Sequence, residues 1–243
     1  MSNRVHPSDA AGAAAADQPD DKHRPAVYTV WKRSSMGFQG TDGFCVYDAA
    51  GRLAFRVDNY SRRRKLCAGE LLLMDGQGAP LLALRPQLLS LHDRWNCYTA
   101  APDTEQLQKP SSPSAPPQQQ QQQVFTMARR SALRTTSDEA EVHMSAPAAG
   151  AGRRRAADPA AGYRVEGSFS KRSCKISRAG REAARIARKS AGVASKPVAT
   201  LGDDVFSLVV RPGVDAATVM AIVVVLDRIC HRPCAPSVAC SSR

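Results

Sequence analysis

The segment VMAIVVVLDRIC, residues 219–230, is the most apolar part of this chain of 243 residues. No side chain from Val219 to Leu226 is charged or hydrogen-bonding, and charged residues lie on both sides of that run. A helix that crosses a bilayer needs about 20 apolar residues, so this segment is too short to span one. A helix that is apolar all round must instead be surrounded by protein. The sequence therefore predicts a buried helix over residues 215–230.

The residues that flank this segment also favour a helix. In RPGVDAAT, Pro212 and Gly213 are typical of a turn, and Asp215 can cap the first helical turn by accepting backbone N–H groups. The tripeptide HRP at residues 231–233 supplies a basic last turn and a stop. The helix is therefore delimited at both ends, and the remainder of the chain must form the walls around it.

The segment between Val27 and Ala100 is dominated by a period of two, which is typical of half-buried strands. In RLAFRVD, for example, Leu53, Phe55 and Val57 fall on one face of a strand. The turn signals YDAAGRL, MDGQGAPL and ISRAGRE each join the end of one such run to the start of the next. We therefore predict hairpins in series that form an antiparallel sheet.

About a dozen short strands precede the apolar helix, with DVFSLVVRPG as the last of them. A sheet of that size tends to curl, and closure removes its exposed edges. The predicted fold class is mostly β (α+β), a closed antiparallel barrel of about twelve strands around a buried C-terminal helix.

The length and the low-complexity segments indicate a single folded domain. The domain is predicted to cover residues 26–231. Two insertions are expected to be flexible, one rich in Pro and Gln at 101–123 and one at 146–161. The tails at 1–25 and 232–243 are predicted to be disordered.

The chain carries 34 Lys and Arg residues against 22 Asp and Glu, a net charge of +12, which favours an anionic partner. Seven cysteines are scattered singly, which indicates reduced thiols and an intracellular protein, cytoplasmic with a membrane-associated or nuclear alternative. No metal-ligand spacing and no nucleophile motif is present, so no catalytic, cofactor or metal site is predicted and the protein is expected not to be an enzyme.

Two basic clusters are candidate sites for an anion or a lipid headgroup. The first is the loop SRRRKL. The second lies at the start of residues 171–189, a stretch that contains eight basic residues and a single acid, Glu182. An acidic lipid surface attracts each nearby cation by roughly 1 kcal/mol. A solvated outer face is the alternative interpretation. The candidate residues are Arg62, Arg63, Arg64, Lys65, Lys171, Arg172 and Lys175.

Four motifs in order resemble the plant LURP-one-related proteins: GFCVYDAAGRLAFRVDNY, LLSLHDRW, YRVEGSFSKRSCK and DVFSLVVRPGVDAATVMAIVVVLDRI. The resemblance covers residues 27–231 apart from the insertions. It implies a tubby-like C-terminal fold, in which a closed barrel of about twelve strands is threaded by a hydrophobic helix. It also implies a relationship to phospholipid scramblases and tubby-type membrane-tethered transcription regulators, and a link with plant defence.

These observations lead to two functional hypotheses. The first is a monomeric, non-enzymatic barrel without a transmembrane segment that binds an acidic phospholipid headgroup or a protein partner. The second is a nucleic-acid-associated or nuclear regulator that uses its basic clusters. Nucleic acid is the less favoured partner because neither a stacking platform for single strands nor a helical reading head for a duplex is apparent.

Overall fold

The computed structural model of the protein describes residues 24–33, 43–59, 69–87, 90, 93–100, 121–130, 138–145, 162–191, 199–200, 202 and 204–230. Twelve strands of these residues form one closed antiparallel barrel, and two further strands form a separate small sheet. The strands of the barrel are β1 (Ala26–Arg33), β2 (Gly43–Tyr47), β3 (Leu53–Asn59), β4 (Leu71–Asp75), β5 (Pro80–Pro86), β6 (Trp95–Thr99), β7 (Gln123–Arg129), β8 (Ala140–Met144), β9 (Tyr163–Ser168), β10 (Ser173–Arg178), β11 (Arg181–Arg188) and β14 (Val205–Val210). The small sheet pairs β12 (Ser190–Ala191) with β13 (Ala199–Thr200), and the helix is α1 (Ala216–Cys230).

Hairpins in series build most of the barrel, as the turn signals predicted. From β1 to β11 each strand pairs with the next along the chain, and β14 closes the barrel by pairing with both β1 and β11. The turn between β10 and β11 places Ala179 and Gly180 at φ angles of 49° and 76°. Two successive residues with positive φ match the right-handed twist of the flanking strands. The predicted barrel of about twelve strands is therefore confirmed.

Helix α1 occupies the interior of the barrel. Every residue from Val219 to Leu226 is at most 1 % exposed, which confirms the buried helix. Asp215 caps it, because its Oδ2 accepts a hydrogen bond from the Thr218 N–H at 2.9 Å and its Oδ1 accepts one from the Ala217 N–H at 3.3 Å. The helix begins one residue after this cap, so the predicted start was correct to within the cap itself.

The antiparallel order gives the barrel two distinct ends. We call the end where β14 leads into α1 the entry end, and the opposite end, where α1 finishes, the exit end. The turn between β10 and β11 lies at the entry end, whereas the turn between β9 and β10 lies at the exit end. The connection from β3 to β4 also leaves and re-enters the barrel at the exit end. This division decides which basic residues share a surface.

Candidate anion-binding surface

The hairpin of β10 and β11 has two faces of opposite character. Cys174 and Ile176 point into the barrel and are buried, together with Ile186 on the neighbouring strand. Between them, Lys175 of β10 lies directly opposite Arg185 of β11, and both side chains are exposed. The alternation of apolar and basic residues in the sequence thus becomes an apolar inner face and a cationic outer face.

Glu182 lowers the repulsion on this outer face. Its Oε2 accepts a hydrogen bond from Arg185 Nη2 at 2.5 Å, and its Oε1 accepts one from Arg211 Nη2 at 2.6 Å. These hydrogen bonds, the one from Arg185 first, hold the pKa of the Glu182 carboxyl below its ordinary value, although desolvation acts in the other direction. One carboxylate is shared by two guanidinium groups, so the cluster keeps a positive charge.

The acidic neighbours of the hairpin lie on the side of β8 and β9. Lys175 is opposite Glu166 of β9, and Arg164 makes long ion pairs with Glu141 at 3.7 Å and with Glu166 at 3.9 Å. Charges of both signs alternate there, which is typical of an ordinary solvated surface. The positive excess is therefore found on the other side of the hairpin and toward the exit end.

Three cations meet at the exit end of this hairpin. The exposed Arg188 donates a hydrogen bond from Nε to the carbonyl oxygen of the exposed Lys171 at 3.1 Å, which ties the end of β11 to the turn before β10. Lys189 follows and donates from Nζ to Thr29 Oγ1 on β1. We call Lys171, Lys175, Arg185, Arg188 and Lys189 together the basic face.

Arg172 does not belong to the basic face. The side chain is only 3 % exposed, and its guanidinium lies over the rings of Phe169 and Phe206, at 4.4 and 4.5 Å from their centroids. The expectation that Arg172 shares an exposed surface with Lys171 and Lys175 is therefore corrected. The sequence held no clear signal for this, because Arg172 lies in the turn before β10 with a φ angle of 52°, where the alternation of a strand does not apply.

The first basic cluster, Arg62, Arg63, Arg64 and Lys65, lies outside the described residues. Its flanks are described: β3 ends at Asn59 and β4 begins at Leu71, both at the exit end of the barrel. Lys171 and the end of β11 are at that same end. A contribution of residues 62–65 to an anion-binding surface stays a prediction.

The exit end also carries buried and half-buried ionic contacts that the sequence analysis did not identify. Asp227, in the last turn of α1, is 1 % exposed and forms an ion pair with Lys32 of β1 at 3.0 Å. Asp138 lies 3.6 Å from Arg129 and accepts a hydrogen bond from the Phe169 N–H at 2.8 Å. These contacts attach the end of the helix and the turn before β10 to the barrel wall.

Three cysteines of the described segments, Cys97, Cys174 and Cys230, are poorly suited to act as reactive thiols. Burial raises the pKa of Cys97 to about 12 and the pKa of Cys174 to about 12, and it also raises the pKa of Cys230. A thiol with such a pKa is a poor nucleophile near neutral pH. Within the described segments no group of three or more His, Cys, Asp or Glu residues is placed to hold a metal ion.

Helix α1 is the apolar helix of the described segments. It has 15 residues, and no helix among those segments is both long and apolar enough to cross a bilayer.

Comparison with known proteins places this architecture in a family. The sequence profile of the LURP-one-related family matches residues 26–227. Protein LURP-one-related 5 of Arabidopsis thaliana is 36 % identical over 200 residues, which is 82 % of this chain and 80 % of the relative. Protein LURP-one-related 8 of the same plant is 30 % identical over 212 residues, covering 86 % of this chain and 89 % of the relative. An X-ray structure of an Arabidopsis thaliana protein aligns with a TM-score of 0.51 at 21 % identity, over 86 % of this chain and 96 % of that one, and supports the fold.

Proposed function

This chain belongs to the LURP-one-related family, and from that premise we propose that it is a non-enzymatic barrel that binds an acidic phospholipid surface through the basic face. The observation that carries the proposal is the outward row of cations on β10 and β11, which continues to Lys171 and Lys189 at the exit end. Glu182 neutralises part of that row, and a net positive surface remains.

The size of the expected attraction can be estimated from the exposed cations. Each basic side chain close to an acidic membrane contributes roughly 1 kcal/mol, so Lys171, Lys175 and Arg188 together account for about 3 kcal/mol at low salt. That is somewhat more than a hundredfold in affinity. Binding should be reversible and sensitive to ionic strength, because attraction between exposed charges is screened beyond about 8 Å at physiological salt.

The family resemblance supports a lipid as the anionic partner. It implies a relationship to phospholipid scramblases and to tubby-type membrane-tethered regulators. We extend the proposal to phosphoinositides as headgroups and to plant defence as the biological setting. A nucleic-acid partner is less favoured, since Trp31 is the one exposed aromatic side chain among the described residues, and a single strand is normally bound on several stacked rings.

Flotation of the protein with vesicles tests the proposal. Phosphatidylcholine vesicles with and without phosphatidylserine or a phosphoinositide are compared at low and physiological salt. The variant carries Lys171→Gln, Lys175→Gln and Arg188→Gln. The control carries Arg24→Gln, Arg52→Gln and Arg181→Gln, three exposed arginines at the entry end, and removes the same charge.

We expect the first variant to lose about tenfold or more of its affinity for acidic vesicles and the control to keep its affinity within about threefold. Both should unfold at the temperature of the wild type, because exposed substitutions usually cost under about 0.5 kcal/mol. Equal losses in the two variants would show that total charge, not the basic face, determines binding. Absence of wild-type binding to acidic vesicles at low salt would contradict the lipid proposal, and a shift with nucleic acid at that salt would favour the alternative.

A further inference from the structure

Strand β1 presents apolar side chains to the outside of the barrel. Val27 and Trp31 are 45 % and 52 % exposed, and both are among the large exposed hydrophobic residues of the described segments. Val30, which lies between them, points inward and is completely buried. Because side chains alternate across a strand, Trp31 lies on the same outer face as Thr29, the residue that accepts a hydrogen bond from Lys189.

The register places Trp31 beside the cations of the exit end. Trp31 pairs with Val205 of β14, and the next residue, Phe206, pairs with Arg188 of β11. Lys189 follows Arg188 and therefore falls level with Val205 and Trp31. A single strand separates them, which corresponds to about 10 Å across the sheet. Trp31 thus occupies one corner of the barrel together with Lys189, Arg188 and Lys171.

The charge of this corner determines which partner suits the exposed indole. Lys171, Arg188 and Lys189 outweigh Asp204, a half-buried acid next to Val205. An exposed tryptophan fits either a pocket on a protein or the boundary between lipid headgroups and acyl chains. Cations around the ring complement an acidic bilayer surface, and the indole has an apolar body and a polar N–H suited to that boundary.

We infer that Trp31 is a shallow membrane anchor, and that the barrel docks on acidic phospholipid bilayers with the exit-end corner of β1, β14 and β11 toward the lipid. The inference rests on the proposed lipid binding and adds to it an orientation and an inserted side chain. The cations attract the protein to the surface. Burial of the indole at the headgroup boundary then supplies affinity that salt does not screen.

The two tryptophans of the chain provide a direct test, because Trp95 is only 5 % exposed. In a Trp95→Phe protein all tryptophan emission comes from Trp31, and in a Trp31→Phe protein all of it comes from Trp95. Vesicles containing phosphatidylserine and brominated acyl chains are added to each. The emission of Trp31 should move to shorter wavelength and be quenched, whereas that of Trp95 should do neither.

Affinity provides a second readout. Trp31→Ala should weaken binding to acidic vesicles about tenfold at physiological salt, since burying a large apolar side chain is worth at least that factor. Val27→Ala is the matched control on the same strand, nearer the entry end, and should change binding less than twofold. Neither substitution removes a buried side chain, so the unfolding temperature should stay close to that of the wild type.

The outcomes separate the two proposals. If acidic vesicles bind the wild type but leave Trp31 emission and Trp31→Ala affinity unchanged, the anchor is overturned and lipid binding through the basic face stands. If no acidic vesicle binds at low salt, both proposals fall. If Trp95→Phe folds poorly, the emission of Trp31 is obtained instead by subtracting the spectrum of Trp31→Phe from that of the wild type. An unquenched difference spectrum would overturn the anchor equally well.

Discussion

The interior of the barrel and its outer wall accommodate charge in different ways. Inside, Asp227 is paired with Lys32, and the Arg172 guanidinium lies over two phenylalanine rings. Outside, Lys175 lies opposite Arg185. A buried charge without compensation costs several kcal/mol, whereas water screens exposed charges almost completely. Fold stability therefore depends on the few charges inside, and the many charges outside are available for recognition.

A charge introduced inside the barrel gives the largest expected effect. Val223 is completely buried and Val27 is 45 % exposed, so Val223→Asp and Val27→Asp make the same chemical change in the two regions. We expect Val223→Asp to cost at least about 4 kcal/mol and to abolish cooperative folding of a domain of ordinary stability. Val27→Asp should cost no more than about 1 kcal/mol. Denaturant unfolding measures both, and a cooperatively folded Val223→Asp protein would contradict the buried helix.

Removal of Lys32, the residue of β1 that pairs with Asp227 near the end of the helix, should have the next largest effect. Lys32→Met removes an ion-pair partner of the buried Asp227, and we expect a loss of about 3 kcal/mol. The double variant with Asp227→Leu should recover most of it, since two apolar side chains can replace a buried pair. Lys175→Met is the control on the outer face and should stay within about 0.5 kcal/mol. Chemical denaturation of the four proteins shows whether the pair anchors the helix.

Replacement of the buried arginine should have an intermediate effect. Arg172→Lys keeps the charge but loses the guanidinium that lies over the rings of Phe169 and Phe206, so we expect about 1–2 kcal/mol of destabilisation. The exposed control Arg181→Lys should be neutral. Thermal unfolding gives the stability, and flotation should show that folded Arg172→Lys binds acidic vesicles as the wild type does. Weakened binding with unchanged stability would show that Arg172 takes part in anion binding, contrary to this prediction.

Neutralising Glu182, the carboxylate shared by Arg185 and Arg211, tests how much an ion pair on the outer wall contributes and should change stability only slightly. Glu182→Gln weakens the pairing of Arg185 and Arg211, at a cost of no more than about 1 kcal/mol at neutral pH. Because the folded pKa of Glu182 is lowered, its stabilising effect is present above the ordinary value of 4.5 and is lost as the pH falls through the lowered pKa. The difference from the wild type should therefore vanish in acid. Vesicle binding should strengthen, because the basic face gains one net charge.

Shortening the Pro- and Gln-rich insertion should have the smallest effect. The two sides of the insertion are held together independently of it, because the Thr99 N–H, at the end of β6, donates to the Gln122 carbonyl oxygen, just before β7, at 2.9 Å. Replacing residues 103–120 with a short Gly/Ser linker should shift the melting temperature by only a few degrees, because loop-closure entropy changes slowly with length. A drop of more than about 10 °C, measured by thermal unfolding, would mean that the segment contributes to the fold.

The helix and the strands were predictable because their signals are local. The unbroken apolar run up to Leu226, the cap at Asp215 and the alternation in β3 are readable within a few residues. The candidate site was predictable only in part: Lys171 and Lys175 are exposed as expected, but Arg172 is not. A count of basic residues cannot tell which side of a strand each one occupies. The exposed position of Trp31 beside Lys189 depends on strands far apart in the chain and has no local signal.

By itself, the sequence determined that this chain has a helix requiring burial, about a dozen strands to surround it and an excess of positive charge. These follow from hydrophobic periodicity and composition, which act over short stretches of chain. The tertiary structure alone decided that Lys32 meets Asp227, that Phe169 and Phe206 enclose Arg172, and that Trp31 shares a corner with the exit-end cations. Barrel closure brings β1, β14 and β11 together, and pairing register between distant segments is set by the packing of the whole core around the helix.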